Sequence, residues 1–509
     1  MKYLLVHDLG TSGNKATLFN TDGQIVGSEI ASYDTLYFKN YWVEQNPEDW
    51  WGAVTISSKR LLEKVDIKDV IAVSFSGQMQ GAVCLDKDGN LLNNSIIWLD
   101  QRSVHQTKRL LERISAKEIY QITGHRPSPV YSLEKLMWLK ENKPEVYLNT
   151  YKMLNSKDYL IYKLTGRFVT DYSDASGTNA LDIKEKCWSE KILLVADISI
   201  DKLPDLLNST DIAGYVTKQA AVECGLKEGT PVVCGGGDGV CATIGAGCIN
   251  ENDTYCCMGT SAWIATTSSK PIIDDGMVLF NFVHMIKDKY MPCGTMSSCG
   301  TSYQWALDVF AKDEQHLSEN LGVISHEIVE IQTAKSPVGA NGLIFLPYMH
   351  GERSPRWNPD AKGSFIGLTP NHNSNDMLRA VLEGVAYNLA AILKVFMTVQ
   401  DISSISLIGG STNNLWNQIL CDAFNLRINT IENSRYATSI GAAVAGGIGV
   451  GEYNDFSSVA QFIKINNSYY PISENVNRYK ALKVIFDESY FSLLGVFTKI
   501  RNYQNIYKL

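Results

Sequence analysis

Two aspartates stand beside glycine-bearing turns, Asp8 and Asp238. Asp238 lies in PVVCGGGDGVCATIGAG (Pro231 to Gly247), behind a short apolar strand. One reading makes GGGDG a turn, with Asp238 capping a helix that begins near Val240. The other lets the glycines clear space for a ligand that the carboxylate faces. Asp8 stands two residues before the first of two GTS tripeptides, Gly10-Thr11-Ser12 and Gly259-Thr260-Ser261, each directly after an apolar strand. Consecutive N–H groups with Thr and Ser hydroxyls beside them make an anion-binding nest. Either tip alone reads equally as a plain hairpin. The two together, in facing domains, favour a polyphosphate shared between them. A carboxylate beside such a nest is either a turn former or the holder of a divalent cation, and Mg2+ bound by one or two carboxylates, waters and phosphates would remove the repulsion.

Three further segments carry polar chemistry. LIGGSTNN (Leu407 to Asn414) can approach a flat ring or a phosphate through Gly409 and Gly410, or simply turn from strand to helix. SFSGQMQGAVCLD (Ser74 to Asp86) reads as a strand, a polar tip at Gln78 to Gln80, and a returning strand. SIIWLDQRS (Ser95 to Ser103) ends an apolar run on Trp98, Asp100, Gln101 and Arg102. Amides, a ring and a carboxylate together suit a polyhydroxylated ligand, whose hydroxyls need donors and acceptors.

The elements that must position these groups follow from periodicity. Lys2–Leu9, Lys15–Asn20 and Ile25–Glu29 form an antiparallel meander. Asn252–Met258 and Ala262–Ser269 form a second hairpin with the same tip, which suggests an internal duplication. Helices are expected over Pro47–Val65, with proline and acids in the first turn, over Asn375–Phe396, from about Asn413, over Ala437–Gly447, and through the tail from Glu474.

Composition narrows the classes. At 509 residues two large domains are expected, divided here at 1–248 and 249–509. A net charge of −8, scattered along the chain, offers no basic stripe for nucleic acid or a membrane surface. Eleven cysteines without CxxC spacing read as reduced thiols of a cytoplasmic protein. The N-terminus does not read as a signal peptide, and no apolar run approaches the roughly 20 residues of a membrane span. Eight dispersed histidines make a zinc site unexpected. GxxxxGK[ST] is absent and no GxGxxG follows a strand, so P-loop and Rossmann sites are unsupported.

Taken together, these segments resemble the FGGY carbohydrate kinases, and within them xylulokinases most. DLGTSGNKATLFN is similar to the family's first phosphate motif, MGTSAW to its second, and LIGGSTNN to its adenosine motif, with Ser411 where a third glycine is usual. KDYLIYKLTG, TDYSDASGTNALDI and FLPYMHGERSP are also xylulokinase-like. GSFIGLTPNHNSNDMLRAVLEG fits the C-terminal signature, and YSLEKLMWLKEN most of the N-terminal one. The resemblance implies two ribonuclease-H-like α/β domains of the actin and Hsp70 superfamily, facing across a cleft that holds ATP, Mg2+ and sugar. It implies Asp238 as catalytic base and Asp8 beside the metal and phosphates, both near Mg2+. It further implies Gly10, Thr11, Ser12, Lys15, Gly259, Thr260, Ser261, Gly409, Gly410 and Asn413 around ATP. Gln78, Met79, Gln80, Trp98, Asp100, Asp238 and Gly239 would surround the sugar. Two positions depart from the xylulokinase pattern: Gln80 replaces a histidine and Gly239 an asparagine. The expected reaction is D-xylulose to its 5-phosphate. L-xylulose, ribulose, fuculose, gluconate, glycerol or a signalling diol are the alternatives within the family. An actin-type ATPase and a silent sugar sensor are the alternatives outside it. Dimers are frequent in such a family, and a homodimer is carried as an expectation.

Overall fold

The structure is a computed structural model, and it describes residues 1–39, 41–312, 325–410 and 413–507. Its frame is two seven-stranded mixed sheets. The first contains β1 (Tyr3–Leu9), β2 (Gly13–Asn20), β3 (Ile25–Ser32), β4 (Val70–Gly77), β5 (Ile212–Tyr215), β6 (Pro231–Val233) and β7 (Gly236–Gly237). Its order is β5-β6-β4-β1-β2-β3, with β7 also on β4. The second contains β8 (Thr254–Met258), β9 (Ala262–Thr266), β10 (Phe280–Val283), β11 (Tyr290–Met296), β12 (Ser404–Gly409), β13 (Arg427–Ile431) and β14 (Ile465–Tyr469), in the order β10-β11-β9-β8-β12-β13-β14.

The two sheets repeat one plan. β1 pairs antiparallel with β2 and parallel with β4, as β8 pairs antiparallel with β9 and parallel with β12. Each antiparallel pair carries a GTS tip, so the duplication expected from the tripeptide is present in the topology. The expected meander is β1-β2-β3. The expected hairpin return after Gln80 is not formed. Val83–Leu85 pairs antiparallel with Lys152–Leu154 rather than with β4, because the chain leaves the sheet at Gly77.

Helices cover the sheets. α1 (Pro47–Leu62) starts on Asn46, which accepts the Glu48 N–H at 3.2 Å, and buries Trp50, Trp51, Val54 and Leu61. α2 (Ser156–Thr165) packs beside β4. α3 (Asp238–Gly245) begins at Asp238 itself, with Gly237 as cap, so the helix expected from near Val240 starts two residues earlier. α4 (Ser374–Phe396) carries the second core through Leu378, Val381, Leu382, Val385, Leu389, Ile392 and Phe396. α5 (Asn414–Phe424), α6 (Ala437–Gly449) and α7 (Ser473–Tyr507) complete the set used below.

α3 and α6 cross where small residues allow it. A Cβ on Gly245 would come within 1.9 Å of the Ala437 carbonyl, and one on Gly441 within 2.1 Å of the Cys241 carbonyl. α6 lies between β13 and β14 of the second sheet in the chain yet also packs on β1 and β4, so Leu4, Val6, Ile440 and Val444 share one core.

Candidate active site

The site forms at the carboxyl ends of parallel strands, where α/β sheets bind ligands. Register places it. Asp8 of β1 lies opposite Ser76 of β4, and Gly237 of β7 opposite Gly77. Asp8 and the first turn of α3 therefore emerge side by side. Ser76 Oγ donates to Asp8 Oδ1 at 2.8 Å, and Thr438 Oγ1, from the first turn of α6, donates to Asp8 Oδ2 at 2.6 Å. Lys15 Nζ is 3.5 Å from the same oxygen and donates to the Arg435 carbonyl at 2.9 Å. Asp8 is thus held from both halves of the molecule. Ser76 and Thr438 were not picked out in the sequence, since hydroxyls are common and only pairing identifies them.

Asp238 is half-buried in the first turn of α3. Withdrawal from water, then the nearby Asp8 charge, push its carboxyl up to about 7, against the opposing bond from the Gly239 N–H at 2.7 Å. A carboxylate tuned to this range is suited to general-base work near neutral pH. Gly239 leaves no side chain there, and its carbonyl accepts from the Tyr255 hydroxyl at 2.9 Å.

Beside Asp238 lies the Gln78–Gln80 turn. Met79 packs against Gly237. Gln80 adopts a left-handed φ of 67°, uncommon outside glycine. Its carbonyl accepts from the buried Lys135 ammonium, which also binds the Val130 carbonyl at 2.6 Å and is pushed down to about 7 by burial. Gln78 is buried and donates to Gln45 Oε1 at 2.8 Å, while Gln45 Nε2 donates to the Thr11 carbonyl at 2.6 Å. Gln45, unnoticed in the sequence, therefore links this turn to the first GTS tip.

That tip closes through the Gly10 N–H to the Gly13 carbonyl at 3.0 Å, with Thr11 half-buried and Ser12 exposed. Trp98 donates its indole N–H to the Thr11 hydroxyl at 3.0 Å, so it stands at the first GTS tip. The second tip closes through the Gly259 N–H to the Ser261 carbonyl at 2.9 Å, leaving Thr260 exposed. Met258 pairs with Gly409, whose φ of 100° requires glycine, as does the Met258 carbonyl that a Cβ there would meet at 2.3 Å. Gly410 is exposed beside it. Asn413 caps α5, accepting from the Trp416 N–H at 2.8 Å. Ser411 and Thr412 lie outside the described residues.

Asp100 is a correction. It is fully buried, with both oxygens taken by Arg102 at 2.7–3.0 Å and by the Val43 N–H at 2.6 Å. Arg102 also binds Glu44 at 2.8 Å. The pair braces the loop that carries Trp98 and offers nothing to a sugar. The D-x-R spacing was visible in the sequence and could have flagged it.

Chemistry of this kind at two repeated strand ends agrees with the comparisons. The N-terminal domain model of the FGGY family of carbohydrate kinases matches residues 3–245, and the C-terminal domain model matches 254–450. The chain belongs to the FGGY family of carbohydrate kinases. It is a sugar kinase with the two-domain FGGY fold, and ATP is the phosphoryl donor that the family implies. It is 35% identical to xylulose kinase of Bacillus subtilis (strain 168), over 99% of this chain and 100% of that one. It is 31% identical to gluconokinase of the same organism, over 99% and 98%. The solved xylulose kinase of Lactobacillus acidophilus superposes with a TM-score of 0.91 at 29% identity, covering 98% of this chain and 100% of the other. Among the described residues no helix is long and apolar enough to cross a membrane, and no group of three or more His, Cys, Asp or Glu side chains could hold a metal. All eleven cysteines are free thiols.

Proposed function

We propose that this FGGY kinase transfers the γ-phosphate of ATP to a terminal hydroxyl of an open-chain ketose, D-xylulose to D-xylulose 5-phosphate being the reaction to test first. Asp238 carries the reading: a half-buried carboxyl pushed up to about 7 near Asp8, one residue after the Gly237 that Met79 packs against. Deprotonated, it takes the proton of the sugar hydroxyl. The freed oxygen bonds to the γ-phosphorus, the bond to the bridging oxygen breaks, and ADP leaves with that electron pair. Phosphoryl transfer needs positioning and charge stabilisation above all. The GTS tips, Lys15, Gly409, Gly410 and Asn413 are assigned to ATP, and the Gln78–Gln80 turn, Trp98 and Gly239 to the surroundings of the sugar. Asp8 fits a magnesium ion, since one carboxylate with waters and phosphates suffices and a cation there would relieve its repulsion with Asp238. When bound, that ion neutralises charge developing on the phosphates. The seam between domains is set at 248/249, the setting is taken as cytoplasmic, and a homodimer is assigned for test by sedimentation.

One observation favours a second reading. Among the described residues neither the Arg126 nor the Arg353 guanidinium has a carboxylate within ion-pair distance. Arg353 lies near Tyr131 and Cys293, Arg126 sits 5.1 Å over the Trp357 ring, and burial lowers both from the ordinary guanidinium range. Guanidinium groups with no carboxylate at ion-pair distance suit the carboxylate of a sugar acid, and gluconokinase is among the relatives. ADP release measured over ketopentoses, polyols and sugar acids decides between them. D-xylulose turnover with no response to gluconate supports the first reading, the reverse supports the second, and no response to any sugar removes both.

A further inference from the structure

A buried lysine stands behind the acceptor side of the site, and no step above uses it. Lys157, the second residue of α2, has no exposure, and neither have Asp158, Asp171 and Asp174 around it. Its Nζ lies 2.5 Å from Asp158, 3.0 Å from Asp171 and 3.6 Å from Asp174. A buried ammonium without partners would shed its proton. Here burial opposes the charge, but the carboxylates outweigh it and hold Lys157 well above its ordinary range. Asp174 has neither oxygen hydrogen-bonded among the described residues. Burial and the carboxylates nearby, Asp238 among them, raise it well above the usual range, against the opposing Lys157 charge.

The cluster reaches the site along two routes. Asp171 Oδ2 accepts from the Ser173 hydroxyl at 2.5 Å and the Ser209 hydroxyl at 2.7 Å. Ser173 Oγ in turn accepts the Gly237 N–H at 3.0 Å, one residue before Asp238. On the other side Ser156, adjacent to Lys157, donates its hydroxyl to the Gln78 carbonyl at 2.6 Å. Asn155, which caps the same helix, donates to the Asp174 carbonyl at 3.3 Å. The start of α2 therefore holds the Gln78–Gln80 turn directly through Ser156, and reaches the strand-to-helix junction that presents Asp238 through Asp171 and Ser173. Paired buried charges often add little to stability beyond well-packed apolar residues, and fixing a geometry is a documented reason to keep them.

We infer that Lys157 is a positioning residue for the phosphoryl acceptor, setting, through Asp171 and Ser173, the separation of Asp238 from the Gln78–Gln80 turn. The inference rests on the kinase reading above. It acts on the orientation of the sugar hydroxyl, not on ATP. A 1 Å misplacement far from the chemistry can cost ~100-fold in rate.

The test compares Lys157→Met, Lys157→Arg, Ser173→Ala and Ser173→Thr in the full chain. Ser173→Ala removes one hydroxyl and leaves the ion cluster in place, so it stays informative if Lys157→Met fails to fold. Ser173→Ala is expected to lower kcat for the best sugar at least ~10-fold, with the KM for ATP within about 2-fold and the melting temperature near wild type. Ser173→Thr, which keeps the hydroxyl, and Lys157→Arg, which keeps the charge, should recover part of the rate lost in their partners. Unchanged kcat in a folded Ser173→Ala would overturn the inference, as would equal losses toward sugar and ATP that track melting temperature. Wild-type protein without sugar-dependent ADP release would withdraw the kinase reading and the inference together. Active wild type with indifferent variants withdraws the inference alone.

Discussion

Asp238 is the residue whose environment says most about its work. An aspartate in water has a pKa of ~3.9, whereas here burial and Asp8 hold the carboxyl at about 7. Asp238→Ala should lower sugar phosphorylation at least ~100-fold and leave ATP binding nearly intact; retention of most activity removes it as base. Because the base must be deprotonated, kcat/KM should climb with pH through about 7. Asp8 raises that value, so Asp8→Asn should move the climb in its residual activity to lower pH. A shift upward, or none, would mean that another group governs the profile. Stability runs the other way. The native carboxyl keeps a proton that the unfolded chain loses, so stability falls as pH rises from about 4 to about 7. Asp238→Asn carries no such penalty, and its melting temperature should exceed wild type by more at pH 8 than at pH 4. A constant difference would show that the buried charge is not its source. Gln80 offers a specificity test. Its left-handed backbone is one that histidine tolerates better than most residues, so Gln80→His should fold and change the ranking of sugars more than the KM for ATP. Equal effects on every sugar would put Gln80 outside the pocket.

At the scale of elements, what was legible in the sequence was local. The meander, the second hairpin and the long helices declare themselves through alternation, 3.6-residue spacing and glycine punctuation. Repeated tips also disclosed the duplicated plan. Non-local pairing was not legible. Val83–Leu85 follows a polar tip as a hairpin return would, yet pairs with Lys152–Leu154, some seventy positions on. The same limit hid Gln45, Ser76 and Thr438, each of which matters through a partner far along the chain. Asp100 failed for the opposite reason: a loop carboxylate looked free while its partner stood two residues away. One element contact is testable in isolation. The α3–α6 crossing leaves no room for a side chain at Gly441, so Gly441→Val forces the helices apart. Overpacking of this kind costs about 1–3 kcal/mol or more. Its melting temperature should fall by several degrees, and activity should suffer even below that temperature, since α6 also delivers Thr438 to Asp8. Full activity in a folded Gly441→Val would separate the crossing from the site.

For the whole molecule, the question is how two halves built on one repeated plan come together. They are joined along two seams. One is the α3–α6 crossing with the Thr438–Asp8 bond. At the other, β10 meets the first half: the Asn281 N–H donates to the Gly124 carbonyl at 3.0 Å, the Val283 N–H to Ser176 Oγ at 3.0 Å, and the Tyr120 hydroxyl to Asp274 at 2.9 Å. Ala175, Leu181, Ile183, Val283 and Tyr290 form a small apolar core across it. Bodies tied along two seams can turn only about the line that joins them, so closure should be one rotation rather than a general loosening. A kinase also has reason to close, because water left beside the γ-phosphate would compete with the sugar hydroxyl. ATP analogue and sugar together should therefore reduce the radius of gyration in small-angle scattering, with either ligand alone giving less. Tyr120→Phe and Ser176→Ala, which loosen the second seam, should broaden the unliganded distribution while the doubly liganded value is retained. Identical scattering with and without both ligands, in an enzyme shown to bind them, would mean that the halves work at a fixed separation and that water is excluded by the bound sugar itself.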